Sequence, residues 1–153
     1  MKIAYCDDLH LEFDRITLEN TEQADVLVLA GDICLVSQLG PYPDDAFELL
    51  YGRNGRIHDF FTNCAKEFKH IIYVLGNHEH YRYDIKESLS TLKKHLGYIK
   101  NLHILERESV VIDDVTFTIS PFERSESFLS VTTTKRSEEH TSELQSRLHL
   151  VCR

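Results

Sequence analysis

Five residues in the N-terminal part of the chain have side chains of the kinds that bind divalent metal ions or transfer protons. They are Asp8, His10, Asp32, Asn77 and His78. Asp8 and His10 stand two positions apart on a segment expected to be extended, so their side chains share one side of it. Asp32 has two carboxylate oxygens that can bridge two cations, and Asn77 offers a neutral oxygen ligand. Mixed nitrogen and oxygen ligation favours Mn, Fe, Zn, Ni or Co over Ca or Mg.

These residue types suit a two-metal centre that acts on a phosphate ester. Two cations about 3.5–4 Å apart activate a bridging hydroxide and stabilise both oxygens of an in-line displacement. An imidazole beside such a centre, as at His78, can supply a proton near neutral pH. A lone Asp or His at a strand end is usually a turn or cap residue, so the hypothesis depends on the five residues acting together.

The elements that must position these residues are strands of an α/β sheet. Apolar runs at residues 2–6, 24–32 and 71–77 predict strands, and the last two are continuous enough for strands covered on both faces. Ligands bind beyond the carboxyl ends of strands in open α/β sheets, so the five residues are expected to meet in one crevice. Gly31 and Gly76 follow two of these strands, where the backbone must turn sharply close to a ligand.

Two helices are predicted between and after these strands. Apolar residues recur at helical spacing through 57–68 and 84–96, and Asp84 and Gly97 suit the start and the end of the second helix. Residues 32–45 are expected to form a long loop.

Short strands follow the second helix. They are predicted at 102–105, 109–112 and 115–119, with Asp113 and Asp114 as the turn of a hairpin. Strands that alternate with helices, followed by small strands, indicate an α/β layer architecture.

Length and charge fit a folded domain that is not built for broad electrostatic attraction to nucleic acid, so a nucleic-acid partner is left open but is not indicated by the charge. The chain has 153 residues, 42% of them hydrophobic and 27% charged, which is enough for one domain with a core. The net charge is −8, and residues 136–153 hold three basic and three acidic residues, so the excess negative charge lies in residues 1–135. Bound metals can still reverse the local field for a phosphate-ester substrate.

The sequence predicts a cytoplasmic protein that does not enter a membrane. No apolar run approaches the roughly 20 residues that span a bilayer, and the N-terminus turns acidic before a signal sequence could form. Four cysteines lack C-x-x-C spacing and are interpreted as small buried residues in a reducing compartment. They are Cys6, Cys34, Cys64 and Cys152. The oligomeric state and the substrate stay open.

The motifs around the five residues resemble those of the metallophosphoesterases, also called calcineurin-like phosphoesterases. That family carries D-x-H, then G-D, then G-N-H-[DE], and this chain reads DLH, GDI and GNHE in that order and at comparable spacing. The resemblance covers about residues 1–119. The complete fold of that family is an α/β sandwich with two mixed sheets flanked by helices. The resemblance implies that this chain is the truncated N-terminal half of such a sandwich.

The resemblance implies a role for each residue. Asp8 and His10 would hold the first metal, Asp32 would bridge, and Asn77 would hold the second metal. His78 would be the catalytic histidine that stabilises the transition state or protonates the leaving oxygen. The implied activity is hydrolysis of phosphomonoesters or phosphodiesters through two divalent ions, manganese first among them, and a metal-bridging hydroxide. A non-catalytic scaffold or binding module with the same fold is the alternative.

Two features usual in the family are absent from the sequence. The family completes its site with a lone His and a G-H-x-H motif, and no histidine after GNHE stands in such a motif. A further Asp that supports the catalytic histidine often follows shortly after G-D, but this chain reads GDICLV with no Asp nearby. Lost ligands weaken metal binding, so the 153-residue chain is expected to be inactive or nearly so and poorly stable.

Other polar residues near the motifs are assigned ordinary roles. His80 is expected at the surface or supporting a ligand, and His58 is expected to be solvated or to cap a helix. Tyr81 and Tyr83 either line a substrate cleft or, as is commoner for loop tyrosines, pack on the domain.

The end of the chain resembles non-native sequence. RSEEHTSELQS, residues 136–146, matches the translation of a widely used DNA-sequencing adapter. Residues 136–153 are therefore interpreted as an artefact tail, residues 120–135 as an uncertain boundary, and residues 1–119 as a partial phosphoesterase domain. His140 and His149 are accordingly not expected to bind metal.

Overall fold

Two sheets of different type form the framework of the fold in a computed structural model, which describes residues 1–121 and 127–133. The first sheet is parallel, in the order β1-β2-β3-β4, with β1 at Ile3–Cys6, β2 at Val26–Ala30, β3 at His70–Val74 and β4 at Leu102–Leu105. The second sheet is antiparallel and contains β5 at Ser109–Ile112, β6 at Val115–Pro121 and β7 at Ser127–Thr133. The α/β architecture predicted from the sequence is confirmed.

Within the residues that the structure describes, three α-helices accompany the sheets, α1 at Ala46–Tyr51, α2 at Arg53–Glu67 and α3 at Ile85–Leu96. Helices α2 and α3 connect successive parallel strands, which need such crossovers. The carboxylate of Asp84 accepts a hydrogen bond from the Lys86 N–H at 2.8 Å and caps α3 as predicted. Gly97 ends α3 with a right-handed φ of −65°, and a Cβ at this position would press on the Lys93 carbonyl.

The central strands β2 and β3 have covered faces on both sides, as their continuous apolar runs predict. Leu29 and Tyr73 point to a core that includes Phe61 of α2 and Leu92 of α3. The alternate residues of β2 and β3 point to the opposite core, where they pack against Phe117 and other apolar residues of the second sheet. The continuous hydrophobicity therefore reflects two cores that share one sheet.

The long connection after β2 is less irregular than the sequence predicts. A 3₁₀ turn occupies Val36–Gln38, and α1 follows after a cap formed by Asp45, whose carboxylate accepts hydrogen bonds from two backbone N–H groups. The hairpin between β5 and β6 has the predicted two-residue turn, and Asp113 adopts a left-handed φ of 51° in it.

Three of the four cysteines are free thiols within the described residues. Cys34 and Cys64 are buried and Cys6 is half-buried. Burial raises the pKa of the Cys64 thiol to about 12, and burial together with Asp7 does the same for Cys6. They behave as the small apolar residues that the sequence predicts, whereas Cys152 lies outside the described residues. The artefact interpretation of residues 136–153 also lies outside them.

No helix within the described residues is long and apolar enough to cross a membrane.

Candidate metal centre

Asp32 is the residue at which the loops after β1, β2 and β3 meet. Its carbonyl accepts a hydrogen bond from the His10 N–H at 3.1 Å, and the neighbouring Gly31 carbonyl accepts one from the Asp8 N–H at 3.2 Å. Its carboxylate Oδ1 accepts a hydrogen bond from the His78 N–H at 2.7 Å. The three sequence motifs are therefore held together at the carboxyl edge of the parallel sheet.

The donor atoms of Asp8, His10 and Asp32 converge and suit a divalent cation. One ligand atom from each lies within 4.8 Å of the others, and the His10 Nε2 to Asp8 Oδ1 distance is 4.0 Å. Asp32 is buried, whereas Asp8 is exposed, so the group opens toward solvent on one side. An imidazole nitrogen with carboxylate oxygens is a donor set for borderline transition metals, and it fits the metal that the motifs imply.

The same three residues have a backbone conformation that L-residues rarely adopt. The φ angles are 51° at Asp8, 49° at His10 and 54° at Asp32. Left-handed conformations at non-glycine residues cost on the order of 1–3 kcal/mol each and persist where surrounding contacts hold them, often at functional sites. Three of them at three converging donors indicate that the loops are shaped for those donors.

Gly76 allows the loop after β3 to approach Asp32. A Cβ at this position would lie against the Asp32 carboxylate and 2.7 Å from its backbone nitrogen. A side chain here would push the two loops apart, so the glycine predicted for a sharp turn serves close packing beside the donor group.

Glu79 connects the loops after β2 and β3, although the sequence analysis gave it no role. It is completely buried, and its carboxylate accepts five hydrogen bonds. The donors are the backbone N–H groups of Asp32, Ile33, Cys34 and Gly76, at 2.7–3.3 Å, and the Tyr73 hydroxyl, at 2.8 Å. The available signal was the final E of GNHE, directly after the catalytic histidine candidate.

The loop after β3 also carries Asn77 and His78. Asn77 is exposed, and its amide nitrogen donates to the Tyr81 hydroxyl at 3.2 Å. His78 is half-buried, with its ring edge-on to the His10 ring at a centroid distance of 4.4 Å. The structure thus places His78 beside a candidate metal ligand, and Asn77 at the neighbouring position.

Glu12 is the second residue that the sequence analysis missed. Its side chain is 6% exposed, and its Oε1 lies 3.0 Å from His10 Nδ1 and 2.6 Å from His78 Nε2. Burial raises the pKa of the Glu12 carboxyl, but hydrogen bonds from its own backbone, His10 and His78 outweigh this effect and hold the pKa below its usual value. Its place two residues after His10 was the available signal, although the segment is not extended as the sequence predicts: β1 ends at Cys6, and Asp8 and His10 have left-handed φ angles.

A cleft of about 290 Å³ opens beside His78 and Glu12. Its other lining residues are Phe13, Leu35, Gln38, Arg53, Tyr81 and Arg82. Phe13 and Tyr81 are 78% and 51% exposed, so both offer ring surface to a ligand. Arg53 and Arg82 are exposed and form no ion pair with the described residues.

Of the tyrosines and histidines to which the sequence assigned ordinary roles, one lines the cleft and the others pack within the fold. Tyr81 lines the cleft, whereas Tyr83 packs on the core and its hydroxyl lies 3.0 Å from the Thr91 hydroxyl. His80 supports the loop through a 2.9 Å hydrogen bond between its Nδ1 and the Ser88 hydroxyl. The expectation for His58 was wrong, because it is fully buried between the Tyr98 hydroxyl and the Gly40 carbonyl, each at 2.9 Å.

Comparison with known proteins agrees with this geometry. A family model described as calcineurin-like phosphoesterase matches residues 1–142, which include all three motifs and every described strand and helix. The match runs beyond residue 119 and into the segment interpreted as a tail. No curated protein matches the chain. With this match over most of its length, the chain belongs to the calcineurin-like phosphoesterase family.

Proposed function

We propose that this protein hydrolyses phosphomonoesters or phosphodiesters at a centre of two divalent metal ions. The observation that carries the proposal is the convergence of donor atoms from Asp8, His10 and Asp32 on strained backbone, next to His78. A scaffold that binds no metal has no need for three converging donors in left-handed conformations. The matching family model is described as calcineurin-like phosphoesterase, which supports the same reaction class.

The proposed ligand assignment follows the position of each residue. Asp8 and His10 would hold one ion, Asp32 would be shared, and Asn77 would contribute to the second. When bound, two divalent ions supply Lewis acidity toward phosphoryl oxygens and make water acidic enough to attack near neutral pH. Manganese is the ion we expect, and iron, zinc, nickel and cobalt suit the same mixture of donors.

The protein's own residues would orient the ester and pass a proton. His78, beside the donor group, would protonate the leaving oxygen or stabilise charge on the phosphoryl group in the transition state. Because the cleft adjoins His78, the leaving group would lie there, with Arg53 and Arg82 attracting the anionic ester. The exposed rings of Phe13 and Tyr81 would contact its apolar part.

A cytoplasmic location is part of the same proposal. Cys6, Cys34 and Cys64 are all free thiols, which is typical of proteins kept in a reducing compartment. Their use as packing residues supports this location.

Manganese-loaded protein assayed with bis(p-nitrophenyl) phosphate and p-nitrophenyl phosphate tests the reaction. We expect Asp32→Ala and His78→Ala to lower kcat/KM by at least about 100-fold, the scale of losing a general acid. Glu19→Ala removes an exposed carboxylate that is neither one of the converging donors nor a lining residue of the cleft, so it is the matched control and should keep full turnover.

Turnover unchanged in both site variants would reject the proposal. The described residues supply few ligands for the second ion, so we expect turnover by the 153-residue chain itself to be low. Metal content of the same preparation therefore separates an inefficient enzyme from a scaffold: a scaffold would hold no transition metal.

A further inference from the structure

Glu12 contacts both histidines of the centre with one oxygen. His10 Nδ1 and His78 Nε2 approach the same Oε1 at 3.0 and 2.6 Å, although the two histidines are far apart in sequence. The Glu12 side chain is more than nine-tenths buried, at 6% exposed. The contact therefore links the loop that provides a candidate metal ligand with the loop that provides the candidate acid.

A carboxylate in this position determines which ring nitrogens carry protons. An ionised carboxylate only accepts hydrogen bonds, so each contacting nitrogen must be the protonated one. His10 then donates from Nδ1 and keeps the Nε2 lone pair on the side of Asp8, whose Oδ1 is 4.0 Å away. His78 donates from Nε2, which leaves Nδ1 as the nitrogen that can exchange a proton with a substrate.

A purely structural role does not explain why this residue is a glutamate. The second oxygen of Glu12, Oε2, is buried and has no hydrogen-bond partner among the described residues. A buried polar atom without a partner is unfavourable, and an apolar side chain of similar size would avoid that cost. What the carboxylate adds is a negative charge placed between two imidazoles.

We propose that Glu12 is a positioning residue, which fixes the His10 ring for metal binding and the His78 ring for proton transfer. This inference rests on the proposed function. Carboxylates that accept the second N–H of a metal-binding histidine typically raise metal affinity by 10–100-fold.

Ring-nitrogen NMR of the metal-free, ¹⁵N-labelled 153-residue chain tests the positioning directly. We expect protonated Nδ1 at His10 and protonated Nε2 at His78. Glu12→Met fills the same space without an acceptor and should return His10 mainly to the Nε2-protonated form of a free imidazole. Glu12→Gln retains an acceptor oxygen and should keep the native proton positions, and Glu19→Gln is the control for a lost surface charge.

Manganese affinity measured on the same variants supplies the second readout. Glu12→Met should weaken binding by about 10–100-fold, and Glu12→Gln should weaken it less. If Glu12→Met does not fold, as judged by circular dichroism, Glu12→Ala replaces it.

The inference would be overturned if the His10 proton positions stay unchanged in Glu12→Met. It would also be overturned if the control Glu19→Gln loses the native proton positions, because the effect would then not be specific to Glu12. A different result would separate the two proposals. If the native protein binds no manganese while the proton positions respond as expected, the proposed function is rejected and the role of Glu12 in positioning the rings still holds.

Discussion

Two glutamates of the candidate metal centre have buried side chains, Glu12 and Glu79, and their environments are opposite. Glu79 accepts five hydrogen bonds, four of them from backbone N–H groups, and both of its oxygens are used. Glu12 contacts two imidazoles with one oxygen, while the other has no partner among the described residues. Glu79 therefore shapes the backbone of the loops, whereas Glu12 acts on side chains that can bind metal and carry protons.

This comparison separates stability from chemistry within one site. A carboxylate saturated by backbone donors contributes to folding, and its removal leaves several buried N–H groups without acceptors. A carboxylate with an uncompensated oxygen contributes less to folding, so its presence is better explained by what it does to its neighbours. Substitutions at the two positions should consequently affect different measurements.

The largest expected effect is that of Glu79→Ala on stability. Four backbone N–H groups and the Tyr73 hydroxyl would lose their acceptor, so we expect a loss of about 3–5 kcal/mol in the free energy of unfolding, or failure to fold. Urea denaturation followed by circular dichroism measures it. A variant within about 1 kcal/mol of the native protein would show that the loops do not depend on Glu79.

Gly76→Ala should come next, and it affects both stability and metal binding. The added Cβ would meet Asp32, and the resulting overpacking should cost about 1–3 kcal/mol. Because Asp32 is a proposed ligand, manganese affinity should fall at least about 10-fold, a loss of roughly 1.4 kcal/mol of binding free energy. Gly40→Ala is the control, since a Cβ there meets only ordinary contacts with Asn54.

Glu12→Gln should reverse the pattern seen at Glu79. Stability should change by less than about 1 kcal/mol, because one hydrogen-bond acceptor oxygen is retained and no backbone group is left unpaired. In an active preparation, the fall in kcat should be larger for an alkyl ester than for a p-nitrophenyl ester, since only the poorer leaving group needs protonation by His78. Equal losses with both esters would mean that Glu12 does not act through His78.

The smallest effect is expected from Arg53→Gln and Arg82→Gln, which line the same cleft as Glu12. Exposed charges that attract an anionic ester contribute modestly, so KM should rise by a few-fold with kcat little changed. Steady-state kinetics at two ionic strengths would measure this rise in KM. The KM of the native protein should also rise at high salt, because salt screens the attraction of the arginines for the ester. A fall in kcat without a change in KM would place the arginines in the chemistry instead.

The sequence predicted the parts of the fold that depend on local patterns. Strands β2 and β3 have continuous apolar runs because both of their faces are covered, and Asp84 marks the start of α3 through a contact with its own first turn. Helix α1 was missed because its six residues are too few to establish a helical period. Burial of His58 depends on the Gly40 carbonyl, which local pattern does not reveal.

The candidate site was predictable only as far as its motifs. Asp8, His10, Asp32, Asn77 and His78 could be named from residue type and strand ends, and the fold brings the first three donors together. The glutamates could not be assigned in the same way, because their partners come from loops far apart in sequence. The contact between Glu12 and His78 spans 66 positions, and it exists only after both loops have folded.

Equilibrium binding of manganese to the native protein and to Asp32→Asn tests the central claim most directly. Asparagine keeps the size of the side chain and an oxygen that accepts from the His78 N–H, so the loops should stay folded while the shared carboxylate is lost. We predict saturable binding to the native protein and an affinity at least about 10-fold weaker in Asp32→Asn. Absence of binding to the native protein, or equal affinity in the two, would contradict the assignment of a metal centre.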